Sequence, residues 1–169
     1  MHGLYICPDI DTVTYTLAGV NNIETGWGLK GETWLAMESL KKLGGKTWFN
    51  LGDRDLATHL ERTRRIMAGE SLTEITSDFC RKFKISAQIL PVSNDSVKTI
   101  VETENGDMDF QDYFVRDQCK AVVSGFRFEG SGQAEPNPMF MEALSDPSLK
   151  AVVICPSNPF LSKSSYDTS

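Results

Sequence analysis

Short apolar runs alternate with amphipathic stretches along the chain, and the dominant period changes near its middle. Leu4–Cys7 is an apolar run that meets Pro8-Asp9, a stop for a strand and a start for a helix. The spacing of Ile10, Val13 and Leu17, with Tyr15 and Ala18, predicts a helix from Asp9 that ends near Gly19. Trp34, Met37, Leu40 and Leu43 share a face and predict a second helix over Thr33–Lys42, closed by Gly44-Gly45. After Trp48-Phe49 and Leu51 comes a break at Gly52-Asp53. A third helix then runs from Arg54 to Met67 on the stripe Leu56, Leu60, Thr63 and Met67. Ser71-Leu72-Thr73-Glu74 is a capping-box pattern, so a fourth helix is expected to reach Phe83. The short link Ala68-Gly69-Glu70 makes an antiparallel hairpin of the third and fourth helices.

Beyond Phe83 the period shortens. Ala87–Leu90 reads as a strand ended by Pro91, and Thr99–Thr103 as another. Asn105-Gly106 tolerates positive φ in a two-residue turn, which returns the chain through Met108 and Phe110. Tyr113–Arg116 opens a short helix, and the β-rich runs Ala121–Phe128 and Ala151–Cys155 flank a helix over Asn137–Leu144. Strands interleaved with helices imply an α/β fold, a mostly parallel sheet with crossover helices plus the helical hairpin. No repeat or Pro/Gly/Ser linker divides the chain. It reads as one domain over residues 1–162 with a polar tail, residues 163–169, that frays.

Composition narrows the function classes. Across 169 residues, 40% are hydrophobic and 24% charged, which describes a globular chain and excludes a wholly disordered one. A formal charge of −6, from 17 Lys+Arg against 23 Asp+Glu, disfavours nucleic acid as a partner and leaves room for a local basic pocket. No apolar run approaches the roughly 18 residues of a membrane span, and no basic flank leads into an apolar start, so a cytoplasmic protein is expected. Cys7, Cys80, Cys119 and Cys155 lack any CxxC or His-paired spacing and are read as buried reduced thiols.

Three places carry residue types suited to chemistry. In Cys7-Pro8-Asp9-Ile10-Asp11-Thr12 two carboxylates stand at a strand end and helix start. They can share a hard divalent cation through oxygen, or they can cap the helix. In Leu51-Gly52-Asp53-Arg54-Asp55, an arginine bracketed by carboxylates can grip a phosphate bidentately, or it can form a surface ion pair beside a capping Asp53. Asp55 and His59 are four apart and can pair on one helical face. In Ile154-Cys155-Pro156-Ser157-Asn158-Pro159, Ser157 and Asn158 offer donors for a base, ribose or phosphate beyond a strand end, or they only brace a turn. Trp27, Trp34 and Trp48 can stack on a flat ring or pack in the core.

Taken together, Gly3-Leu-Tyr-Ile-Cys-Pro-Asp-Ile-Asp-Thr-Val-Thr-Tyr-Thr-Leu-Ala-Gly19, Leu51-Gly-Asp-Arg-Asp-Leu-Ala-Thr-His59, Phe110-Gln-Asp-Tyr-Phe114 and Pro156-Ser-Asn-Pro159 resemble the 2-phospho-L-lactate transferase family. That family makes the deazaflavin coenzyme of methanogens and actinobacteria. The Leu-Gly-Asp-Arg-Asp-x-Ala-Thr-His block separates it from nucleotide-sugar-binding gluconeogenesis factors of similar fold. The resemblance implies a Rossmann-like fold and a transferase that moves a phospholactyl or phosphoenolpyruvyl group. The donor would be a guanosine diphosphate conjugate, the acceptor the ribityl hydroxyl of the deazaflavin Fo, and the product released GMP.

Magnesium is the cofactor the resemblance implies, held by Asp11 with Asp9. Asp11, the second aspartate of Pro-Asp-x-Asp, is also expected to contact the deazaflavin side. Asn50 matches a position that binds Fo in the family, but archaeal members carry a basic residue there, so Asn50 is a departure. Thr12, Gly52, Asp53, Asp55, Ser157 and Asn158 complete the expected substrate-binding set. Arg54 would act with metal to neutralise the phosphoryl oxygens. Asp9 or Asp11 can alternatively accept the hydroxyl proton, although a resting carboxylate is a weak base.

Family members begin with a strand and a Gly-Gly-Thr-Gly-type loop, followed by a segment that supplies another metal-binding carboxylate. Neither is in this sequence, and the resemblance covers roughly the middle half of a full-length member. Turnover by this chain alone is therefore expected to be impaired, and unburied apolar surface is expected to favour self-association. The intact family member is expected to be a homodimer. A different class of reading is a non-catalytic module that binds deazaflavin or nucleotide, for which binding survives without turnover.

Overall fold

The computed structural model describes residues 3–155, helical in the first part and β-containing in the second. The chain packs as two units, residues 1–91 and residues 92–169. Ser157 and Asn158, expected to bind substrate, and the tail over residues 163–169 lie outside the described residues.

The first unit holds α1 (Pro8–Leu17), α2 (Leu35–Lys42), α3 (Asp53–Met67) and α4 (Leu72–Lys82). Local chemistry sets each boundary close to where the sequence predicts it. Pro8 opens α1, where its missing N–H costs nothing. Ser71 opens α4 with a complete capping box: its hydroxyl accepts from the Glu74 N–H at 3.2 Å, and the Glu74 carboxylate accepts from the Ser71 N–H at 2.9 Å. The α3–α4 link is tied by Arg65, which donates to Glu70 at 2.9 Å and to Asp78 at 2.6 Å.

The buried faces are not the apolar stripes. On α1 the buried residues are Asp11, Thr14 and Tyr15, while Val13 and Leu17 are exposed. On α3 they are Asp55, His59, Arg62 and Thr63, while Leu60 and Met67 are exposed. Apolar burial comes instead from Tyr15, Leu29, Met37, Leu51, Ile75 and Cys80. Tyr15 meets Phe83 edge-on, with ring centroids 5.9 Å apart. Two helices can bury polar faces only where those groups neutralise one another.

The second unit holds β1 (Lys98–Thr103), β2 (Gly106–Asp109), β3 (Val123–Glu129) and α5 (Pro138–Ser145). The sheet order is β2-β1-β3, and both pairings are antiparallel. The expected hairpin forms one residue earlier than Asn105-Gly106: its two-residue turn is Glu104-Asn105, and Gly106, at φ 109°, pairs with Thr103 as the first residue of β2. Tyr113–Arg116 falls within a single π-helical turn, Asp112–Arg116. Asn137 caps α5 by accepting from the Met139 N–H at 3.0 Å.

The mostly parallel sheet expected from the alternation of elements is not found among the described residues. Leu4–Cys7, Ala87–Leu90 and Ala151–Cys155 carry no strand. A strand requires a neighbour to accept its hydrogen bonds, and none of these runs has one among the described residues. The chain is α/β in content, and its sheet is a small antiparallel one. Cys80 alone of the four free cysteines is buried, since Cys7 is half-buried and Cys119 and Cys155 are exposed. Trp27 and Trp34 are exposed and Trp48 is half-buried against Phe49, so no tryptophan is a core residue. No helix among the described residues is long and apolar enough to cross a membrane.

Lys82, Arg65 and Arg81 hold the Asp78 carboxyl far below the usual carboxylate range. A depressed folded value stabilises the fold above the ordinary carboxylate pKa, and that stabilisation is lost as pH falls through the folded value. The Tm of Asp78→Asn is therefore expected to lie below wild type at neutral pH and to converge on it as pH drops below about 4. Thermal melts across that range check this.

Candidate functional site

The polar faces of α1 and α3 close on one another. Arg62 grips Asp11 with both arms of its guanidinium: Nη1 donates to Oδ2 at 3.1 Å and Nη2 donates to Oδ1. Nη1 also reaches the Tyr5 carbonyl at 3.2 Å, and the Thr63 hydroxyl accepts from the Tyr5 N–H at 2.8 Å. These bonds fasten the segment before α1 onto α3. His59 stands between two carboxylates, with Nδ1 3.6 Å from Asp11 Oδ2 and Nε2 3.4 Å from Asp55 Oδ2. The Tyr15 hydroxyl donates to Asp55 Oδ1 at 2.8 Å. Arg62 and His59 are each 1% exposed, and Asp11, Asp55 and Tyr15 are buried too.

Helical geometry explains the convergence on α3. Asp55, His59 and Arg62 follow one another at intervals of four and three, so they line one face. That polar periodicity is present in the sequence, where its Asp55–His59 step stands out by the four-residue spacing. Arg62 and Tyr15 were missed because arginine and tyrosine at helical spacing more often read as surface and core.

The environment separates the two carboxylates. Burial pushes the Asp11 carboxyl above the ordinary range, against the pull of Arg62 and His59. Burial also pushes Asp55 up, but His59, the Tyr15 hydroxyl and Arg62 outweigh it and leave Asp55 below the ordinary range. Burial draws Arg62 down, but Asp11 more than reverses this, so the guanidinium stays charged. Two neighbouring carboxylates with pKa values driven apart are a common arrangement where one is needed to exchange a proton.

The same cluster satisfies a test for a divalent cation. Ligand atoms of Asp11, Asp55 and His59 all lie within 4.8 Å of one another, and the buried Nε2 of His59 has no hydrogen-bond partner. Two carboxylates, Asp11 and Asp55, stand against the one guanidinium of Arg62 and offer oxygen ligands beside the imidazole nitrogen. Asp9 is exposed and is not in this group. Two residues on from Asp9 along a helix is about 200° of rotation, so α1 directs Asp9 and Asp11 to different sides.

The Leu51–Asp55 block does different work. The Glu32 carboxylate accepts from the N–H groups of Arg54 and Asp55 at 2.9 and 3.0 Å and caps α3. The Asp53 carboxylate accepts from the Thr33 hydroxyl at 2.6 Å and from the Leu35 and Ala36 N–H groups at 3.1 and 3.0 Å, and so caps α2. The two helix starts thus cap one another through residues 17 to 23 apart. Those hydrogen bonds hold Asp53 below the ordinary range, the Thr33 hydroxyl most of all. Arg54 is exposed and donates to the Lys30 carbonyl at 3.1 Å. Asn50 is exposed and Thr12 half-buried. Of the expected site residues, the structure gathers Asp11 and Asp55 into the buried cluster. It places Gly52 and Asp53 at the capping junction, with Arg54 and Asn50 on the surface.

A family model described as 2-phospho-L-lactate transferase CofD matches residues 1–164. Among curated proteins, the chain is 40% identical over 169 residues to a phosphoenolpyruvate transferase of Mycolicibacterium smegmatis, covering 96% of this chain and 51% of that protein. It is 41% identical over 170 residues to one of Nocardia farcinica, with the same shares covered. It is 40% identical over 169 residues to one of Mycobacterium avium, with 96% and 50% covered. The chain spans about half the length of the curated relatives it matches.

A Cβ on Gly52 would overlap the Glu32 carboxyl carbon, although φ there is an ordinary −66°. Gly52→Ala is expected to displace Glu32 and lower stability by about 1–2 kcal/mol, the range for a lost N-cap. In a Glu32→Ala background the same substitution is expected to be nearly neutral. Urea unfolding of the two singles and the double variant measures this.

Proposed function

We propose, for a chain that belongs to the 2-phospho-L-lactate transferase CofD family, that it carries the acceptor side of a transferase site. The reaction is transfer of a phospholactyl or phosphoenolpyruvyl group from a guanosine diphosphate conjugate to the deazaflavin Fo, with release of GMP. One observation carries the reading. Asp11 from the Pro-Asp-x-Asp motif and Asp55 and His59 from the Leu-Gly-Asp-Arg-Asp motif, far apart in sequence, meet in one buried cluster.

In such a transfer the acceptor hydroxyl oxygen forms a bond to phosphorus, the phosphorus–oxygen bond to GMP breaks, and the hydroxyl proton goes to a base. Asp11 is read first as a ligand of the cation; in the alternative role of proton acceptor it is better matched than Asp55, because its carboxyl is pushed above the usual range. Asp55 stays ionised and, with the Tyr15 hydroxyl, orients His59 between them. Asp11, Asp55 and His59 are the residues that would hold magnesium, with Asp9 outside the group. When bound, the cation supplies neutralisation of the phosphoryl oxygens. Arg54, exposed at the start of α3, is available to a donor phosphate, with Ser157 and Asn158 assigned to the nucleotide.

The Rossmann-like parallel sheet belongs to the same proposal, with Leu4–Cys7 and Ala151–Cys155 as strands. The exposed side chains of Val152, Val153 and Ile154 support it, since such a run gains from a sheet on both faces. The assembled protein is read as a cytoplasmic homodimer.

Fluorescence titration of Fo into the chain, with and without magnesium, tests the acceptor assignment. Saturable binding is expected, weakened at least about tenfold in Asp11→Ala as a charge-assisted contact is lost. Wild-type affinity in a variant that still melts cooperatively would contradict the assignment. Binding without turnover would favour the non-catalytic module.

A further inference from the structure

Asp11 does not fix its own orientation. It lies in the first turn of α1, and its side chain can rotate about two bonds. What holds it is Arg62, which engages both carboxylate oxygens through both terminal nitrogens. The guanidinium is fixed from other directions in turn. It donates to the Tyr5 carbonyl, meets His59 Nδ1 at 3.3 Å, and lies 5.9 Å from the centroid of the Phe79 ring on α4. One side chain therefore ties α1, α3, α4 and the segment before α1 to a single carboxylate.

A carboxylate offers about four acceptor directions, and a bidentate arginine takes two. The other two are not taken by Arg62, and the nearest further group is His59 Nδ1, 3.6 Å from Oδ2. We propose that Arg62 is a positioning residue of the acceptor site, holding the Asp11 carboxylate in one plane so that its remaining acceptor directions face the acceptor hydroxyl. The inference rests on the proposed role of Asp11 in binding Fo and adds to it a residue outside the expected site set.

Lysine supplies the charge but a single point of attachment, so Arg62→Lys keeps the ion pair and frees the carboxylate to turn. Fo titration of Arg62→Lys, Asp11→Asn and the double variant, each checked for a cooperative melt, separates positioning from fold support. Arg62→Lys is expected to bind Fo about tenfold more weakly. In the Asp11→Asn background the lysine is expected to add nothing, the non-additivity of residues that act as one unit. A merely structural arginine predicts wild-type affinity in Arg62→Lys, or losses that add in the double variant; either overturns the proposal while leaving the Asp11 reading intact. Wild-type affinity in Asp11→Asn overturns both.

The wild-type chain gives a readout that does not depend on any variant folding. A guanidinium held at both arms rotates slowly about its Cζ–Nη bonds, so NMR is expected to show separate Nη signals for Arg62 that shift when Fo is added. A single averaged signal, or separate signals indifferent to Fo, would overturn the proposal.

Discussion

A buried ion pair between Arg62 on α3 and Asp11 on α1 is the constraint on which the first unit depends. Taking two charges out of water is costly, and their attraction offsets that only when the remaining hydrogen-bonding capacity is used. Here Arg62 spends part of it on the Tyr5 carbonyl, and His59 stands beside Asp11. Removing one partner of such a pair costs roughly 3–5 kcal/mol, a large part of a typical domain's stability. The polar seam between α1 and α3 therefore follows from mutual neutralisation, and the apolar residues on the outer faces of these helices are what this arrangement leaves over.

That inversion sets the limit on what the sequence discloses. Helix positions were legible because boundary chemistry is local: Pro8, the Ser71–Glu74 box and the glycines after α1, α2 and α3 act within a turn. The buried faces were not legible, because Val13, Leu17, Leu60 and Met67 form the better apolar stripes and the winning contacts join residues about fifty apart. Strands were readable where a hairpin pairs them, as at β1 and β2, whereas Leu4–Cys7, Ala87–Leu90 and Ala151–Cys155 find no strand partner among the described residues. Composition marks a strand, but only a partner makes one.

The site was legible in part for the same reason. Asp11, Asp55 and His59 stand in motifs that announce themselves, whereas Arg62 and Tyr15 stand in ordinary helical sequence and acquire meaning only through what they touch. Within the Leu51–Asp55 block the division of labour is finer than the motif suggests. Asp53 is occupied with capping α2, Gly52 makes room for the Glu32 that caps α3, and Asp55 turns inward to His59. Capping and chemistry were competing readings of these carboxylates. Asp53 caps α2, and Asp55 lies in the buried cluster.

The chain contains two histidines, His2 and His59, which makes the ring nitrogens of His59 a clean reporter of the cluster. Long-range nitrogen–proton NMR of histidine-labelled protein, recorded before and after addition of Fo, examines the central claim directly. If the Asp11–Arg62–His59–Asp55 cluster is where the acceptor is met, the His59 nitrogen shifts change saturably while those of His2 stay still. Saturable Fo binding that leaves the His59 signals unmoved would contradict it.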